Sequence, residues 1–158
     1  MTDERGVSIT VTHVMTIGIT TILIAGLLLG AGNMLEDQRR NTGDQELRTI
    51  GDRVATELVT AADRGNRTSA TVLVRSSQPG SSVGGSYRVT LTDSTDCYQG
   101  SGYDGCLELN AFAENIDVEV PVSLPDGVSV EGGSAQGGRI VSVYNHSDYT
   151  VTIRGDGT

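Results

Sequence analysis

Residues 7 to 35, VSITVTHVMTIGITTILIAGLLLGAGNML, run for 29 positions without a charged side chain. This run limits what the chain can fold into more than any other feature. A helix needs about 20 apolar residues to cross the hydrocarbon of a bilayer. At 1.5 Å per residue the run is about 43 Å long, enough to span with residues to spare. It exceeds the roughly 7 to 15 residues of a secretory h-region, and no A-x-A-like cleavage site follows it. The segment is therefore expected to stay in the mature protein.

Its interior is patterned. Ser8, Thr12, Thr16 and Thr20 recur every four residues and form a hydroxyl stripe on one side of a helix. Gly26 and Gly30 form a GxxxG pair flanked by Ala25 and Ala31. Small residues at this spacing let a second backbone approach closely, and hydroxyls can hydrogen-bond across such a contact. Together the two features predict a helix that packs on other helices. His13 lies within the run; an ionisable residue there is either functional or a neutral residue near the cytoplasmic interface, and the second reading is preferred.

After the polar stretch EDQRRNTGDQE, Asn41-Thr42-Gly43 reads as a break or kink, with a helix restarting at Thr42 or Asp44. Leu47, Ile50, Val54, Leu58 and Ala61 then mark one apolar face at spacings of three and four. The helix should end near Asp63-Arg64-Gly65-Asn66, with the glycine as C-terminal cap. Beyond it the alternation becomes two-fold. Tyr87-Val89-Leu91, Ile116-Val118-Val120 and Tyr149-Val151-Ile153 are separated by polar partners, and shorter strands are expected at 71–76, 106–110, 128–131 and 139–144. Turns are assigned to Gln78-Pro79-Gly80, to Pro125-Asp126-Gly127 and to GGSAQGG at 132 to 138. The fold class is thus α+β: a long N-terminal hydrophobic helix followed by an antiparallel sheet or small sandwich. With one Phe and no Trp, part of the sheet's core should come from the helix 44–62. The organisation is residues 1–6, 7–64 and 70–158.

The formal net charge is −9, and all 11 basic residues are Arg. An acidic, lysine-free composition resembles that of halophilic archaea, where high salt shortens the Debye length and surface repulsion is tolerable. It also argues against nucleic acid as partner. Cys97 and Cys106 bound the Gly-rich segment CYQGSGYDGC. They form either a small disulfide-closed loop in an oxidising compartment or two buried thiols in a reducing one. Zinc usually needs four ligands and neither His is near, so no metal is assigned. Asp93, Asp96 and Asp104 lack EF-hand spacing and read as a solvated acidic loop. His146-Ser147-Asp148 holds the residue types of a hydrolase triad, but adjacent residues cannot take up that geometry, so it reads as a hairpin turn. Arg154-Gly155-Asp156 reads as a frayed end. No Walker A motif, dinucleotide fingerprint or paired-acid spacing is present, so neither enzyme nor cofactor is expected. Asn66-Arg67-Thr68 and Asn145-His146-Ser147 are N-glycosylation sequons at expected loops.

The leader DERG, with Arg5-Gly6 directly ahead of the hydrophobic run, resembles the class III signal peptide of archaeal type IV pilins and archaellins. The resemblance covers the leader, the hydrophobic helix and the plan of helix followed by β domain. It implies cleavage by a prepilin peptidase between Gly6 and Val7, and polymerisation of residues 7–35 into a helical core. The implied partners are copies of the chain or other pilin-like subunits, the assembly machinery, and the membrane before assembly. The implied location is the cell surface, in an extracellular filament with the β domain outside. The leader departs from the family in carrying Asp3 and Glu4 beside Arg5, and Val11 stands at the fifth mature position, where many bacterial pilins have glutamate. The positive-inside count, Arg5 and the amino terminus against Arg39 and Arg40, slightly favours the opposite orientation, offset by Glu36 and Asp37. The alternative function is a single-pass anchored surface binding domain that does not polymerise.

Overall fold

The computed structural model describes residues 4–82, 85–98 and 102–157, without the side chains of residues 4–10 and 33. One helix, α1 (Glu4–Thr68), precedes seven strands: β1 (Val72–Ser77), β2 (Tyr87–Asp93), β3 (Gly105–Ala111), β4 (Ile116–Val122), β5 (Ser129–Gln136), β6 (Arg139–Asn145) and β7 (Thr150–Gly155). The chain divides into two units, Met1–Gln38 and Arg39–Thr158.

The helix is continuous through Asn41-Thr42-Gly43, where a break was expected. One glycine in a helix costs about 1 kcal/mol relative to alanine. That is too little to interrupt a segment flanked by apolar residues on one side and a packed face on the other. Gly43 is itself buried, and the Asp44–Arg48 pair at 2.8 Å supports the following turn. The C-terminus also differs from expectation. Gly65 is inside the helix, and the cap is a Schellman motif: Ser69 takes φ 51° and the Ala70 N–H donates to the Gly65 carbonyl at 3.2 Å. Gly65 is needed for packing instead. A Cβ there would lie 2.0 Å from the Tyr144 ring.

The strands form one sheet in the order β1-β6-β7-β5-β2-β3-β4. Every pairing is antiparallel except β5 with β7. A second sheet is unnecessary because residues 47–62 of α1 cover one face. Leu47, Val54, Leu58, Ala61 and Ala62 are fully buried with Tyr87, Val89, Leu107, Ile140 and Val151 in one core. Burying each large apolar side chain is worth roughly 1.5–3 kcal/mol. Gly51 brings helix and sheet together, since its Cβ would sit 2.6 Å from Val120 and 2.8 Å from Leu109.

The segment GGSAQGG is mostly strand rather than turn. Gly132 and Gly133 lie in β5, at a register shift against β7. Gly133 has φ +136°, and a Cβ there would stand 2.3 Å from the Ile153 carbonyl oxygen. The flexible-looking glycines mark a bulge under close backbone approach. Only Gly137 and Gly138 connect β5 to β6, and they bridge a gap into which β7 inserts.

Candidate functional site

The first candidate surface is the amino-terminal part of α1. Thirteen large apolar side chains between Val11 and Leu35 are more than half exposed, and the apolar stretch is long enough to cross a membrane, with none of it buried. Leaving them in water would forgo roughly 1.5–3 kcal/mol for each side chain. The segment therefore requires a lipid or protein environment.

Within it two members of the hydroxyl stripe, Thr16 and Thr20, are already satisfied. The Thr16 hydroxyl donates to the Thr12 carbonyl at 2.8 Å, Thr20 to Thr16 at 2.7 Å, and Thr21 to Ile17 at 2.8 Å. These donors bond their own helix one turn back, so these three hydroxyls need no partner to donate to. Gly26 and Gly30 have no atom near where a Cβ would stand, which leaves the small-residue notch open. His13 is exposed on the same helix. At the leader, Arg5, Gly6, Val7 and Ser8 belong to α1 by backbone, their side chains lying outside the described set, as do residues 1–3 altogether.

In the sheet unit, Cys97 and Cys106 are joined in a disulfide that ties the loop before β3 to the second residue of that strand, with Cα atoms 5.9 Å apart. Loop closure of this size stabilises by somewhat under ~3 kcal/mol. The three aspartates do not converge. Asp93 accepts from the Thr95 N–H at 2.7 Å and from its hydroxyl, which lowers its carboxyl below the ordinary range, and Asp104 accepts from the Leu124 N–H at 2.7 Å. The Asp93 and Asp104 carboxylates each pin a stretch of loop backbone.

His146-Ser147-Asp148 is the expected turn between β6 and β7. Asn145 organises it, accepting from the Ser147 N–H at 3.1 Å and donating to Asp148, while His146 meets the edge of Tyr149 with ring centroids 5.1 Å apart. The Asn145 amide is therefore already engaged. Asn66 is exposed but stands in the last turn of α1, not in a loop, because the helix runs on to Thr68. The expected fraying of Arg154-Gly155-Asp156 is also corrected. Arg154 and Gly155 belong to β7, the Asp156 N–H donates to the Arg139 carbonyl at 3.2 Å, and its carboxylate pairs with Arg75 at 3.7 Å and Arg139 at 3.5 Å.

A second surface was not visible in the sequence. On the sheet face turned away from α1, the pairings align Arg75, Val141, Arg154, Ser134, Thr90, Glu108 and Glu119 in one row across all seven strands. Arg139 and Arg88 join it from neighbouring rows, and Asp117 stands beside Glu119. Strand alternation reveals which side chains share a face, but spatial strand order is needed to place the arginines on one margin and the acids on the other. A shallow groove of about 360 Å³ lies on the acidic side, lined by Tyr98, Glu108, Asn110, Asp117 and Glu119. Glu119 there accepts from the Tyr98 N–H at 2.8 Å.

No curated protein and no solved structure matches the chain. One family description, DUF7266, a family of unknown function, matches residues 2–155, so the chain belongs to that family.

Proposed function

We propose that the protein is a structural subunit of an extracellular type IV pilus-like filament, assembled through its amino-terminal helix. The observation that carries the reading is the exposed, charge-free stretch of α1 directly behind Arg5-Gly6, joined to a sheet unit that holds its own core. Such a segment is equally solvated by lipid and by like helices. It can leave the membrane without exposing its apolar surface if neighbours replace the lipid, and the open notch at Gly26 and Gly30 suits close helix approach. The Cys97–Cys106 disulfide favours an oxidising compartment for the sheet unit. Prepilin peptidase, membrane and sister subunits are the partners this function needs.

The alternative, a single-pass anchor carrying a surface binding domain, is favoured by one observation. The Thr16, Thr20 and Thr21 hydroxyls are satisfied within their own helix, which suits permanent residence in lipid. Intact-mass and amino-terminal analysis of protein from native cells separates the two. A chain beginning at Val7 is expected; surface-located protein that keeps Met1 to Gly6 would sink the filament reading.

A further inference from the structure

The sheet face turned away from α1 divides into two halves of opposite charge. On the side of β1, β6 and β7 stand Arg75, Arg139 and Arg154, all exposed, with Arg88 beyond them on β2. Asp156 lies among them as a counter-charge, shared by Arg75 and Arg139 at 3.7 and 3.5 Å, and Glu131 on the neighbouring β5 accepts from the Thr150 hydroxyl at 3.1 Å. On the side of β3 and β4 stand Glu108, Asp117 and Glu119. Six inter-strand steps of about 4.8 Å separate Arg75 from Glu119 by about 29 Å, too far for mutual neutralisation at ordinary ionic strength. In a chain of net charge −9, a margin holding three arginines with Asp156 and Glu131 as the acids beside them is locally positive against the overall balance.

The basic margin also has apolar surface. Val141 lies between Arg75 and Arg154 in the row but, at 3% exposed, presents no surface to a partner. Leu73 stands next to Val143 in the adjacent row and is 42% exposed. Exposed guanidinium groups that outnumber the acids beside them, next to an exposed leucine, fit a carboxylate-bearing protein surface. The matching surface is the opposite margin of the same sheet.

We infer that this face is a contact between copies of the chain, in which the Arg75, Arg139 and Arg154 margin of one copy seats against the Glu108, Asp117 and Glu119 margin of the next. The two patches are different surfaces, so the contact is heterologous and repeats from copy to copy. A repeating contact suits a filament. The inference rests on the assembly reading but does not depend on the apolar helix for its specificity. Bidentate guanidinium–carboxylate pairing sets the register of the contact.

Complementary charge reversal in the full-length chain, purified in detergent micelles, tests it. The Arg75→Glu/Arg154→Glu variant makes both margins acidic, and Glu108→Arg/Glu119→Arg makes both basic. Each alone should self-associate roughly tenfold or more weakly than the parent in sedimentation velocity. An equimolar mixture of the two should recover association, as should one chain carrying all four changes. Circular dichroism on each variant checks that the sheet is intact. Parent-like association of either variant alone, or a mixture of folded variants that does not recover, overturns the contact. Electron microscopy of cells separates this from the assembly reading. Filaments that persist with either variant alone remove the contact and leave assembly standing. Recovery by mixing, with no filaments from the parent chain, removes the filament and leaves the contact standing.

Discussion

Gly65 illustrates how a single position changes meaning on folding. Its place near the end of an apolar periodicity, followed by Asn, makes it resemble a helix stop. In the fold it is a contact, since a Cβ would meet the Tyr144 ring at 2.0 Å. Gly65→Ala should therefore lower stability by roughly 1–3 kcal/mol in denaturant unfolding, an overpacking cost. Gly26→Ala, with no neighbour near its Cβ, should leave the same measurement unchanged or slightly raised. Tyr87 supplies a second case. Its hydroxyl donates to the Pro79 carbonyl at 2.7 Å, and burial, then the nearby Glu46 charge, push its pKa from 10.0 up to about 12. The fold thus favours neutral Tyr87. This contribution is whole below pH 10 and is lost as pH rises from 10 toward about 12. Tyr87→Phe should cost about 1 kcal/mol at neutral pH. It should also flatten this part of the alkaline stability loss, read from unfolding at several pH values.

Among the elements, α1 was legible in its apolar face and not in its ends. Leu47, Ile50, Val54, Leu58 and Ala61 are all buried as their spacing demands. The interior glycines misled because a local propensity near 1 kcal/mol is outweighed by packing that needs a position without a side chain. The true stop is Ser69 at φ 51°, a left-handed conformation unfavourable for serine. Ser69→Gly should raise thermal stability by roughly 0.5–1 kcal/mol. Six strands were expected close to their observed bounds, to within a few residues at most ends. The exception is β5, whose glycines hid a bulge. Bulges follow from the partner strand, here the Ile153 carbonyl pressing on Gly133, and leave no periodic trace. The Cys97–Cys106 link ties β3 to the loop before it. Reduction of the bond should lower stability by up to ~3 kcal/mol, measured by unfolding with and without reductant.

For the molecule as a whole, the exposed apolar stretch and the sheet unit make separate demands. The sheet unit closes its own core, whereas residues 11–35 have none and depend on surroundings. Gly6→Leu should abolish leader removal while membrane insertion continues, and filaments should be lost with it. Immunoblot size, membrane fractionation and electron microscopy read the three outcomes. Unchanged filaments on the unprocessed variant would refute the assembly reading.

Periodicity and charge placement in the linear chain were sufficient for the α+β class, the charge-free span, the helical core face and six of the seven strands. Each is a local pattern, set by which side of a helix or strand an apolar side chain occupies. Folding in three dimensions settled the order β1-β6-β7-β5-β2-β3-β4, the insertion of β7 between β5 and β6, and the roles of Gly51, Gly65 and Gly133. It also set Arg75, Arg139 and Arg154 on one side of a sheet face and Glu108, Asp117 and Glu119 on the other. These depend on which distant segments become neighbours. Neighbour choice is a sum over many weak contacts between residues far apart in the chain, and no short window of sequence contains it.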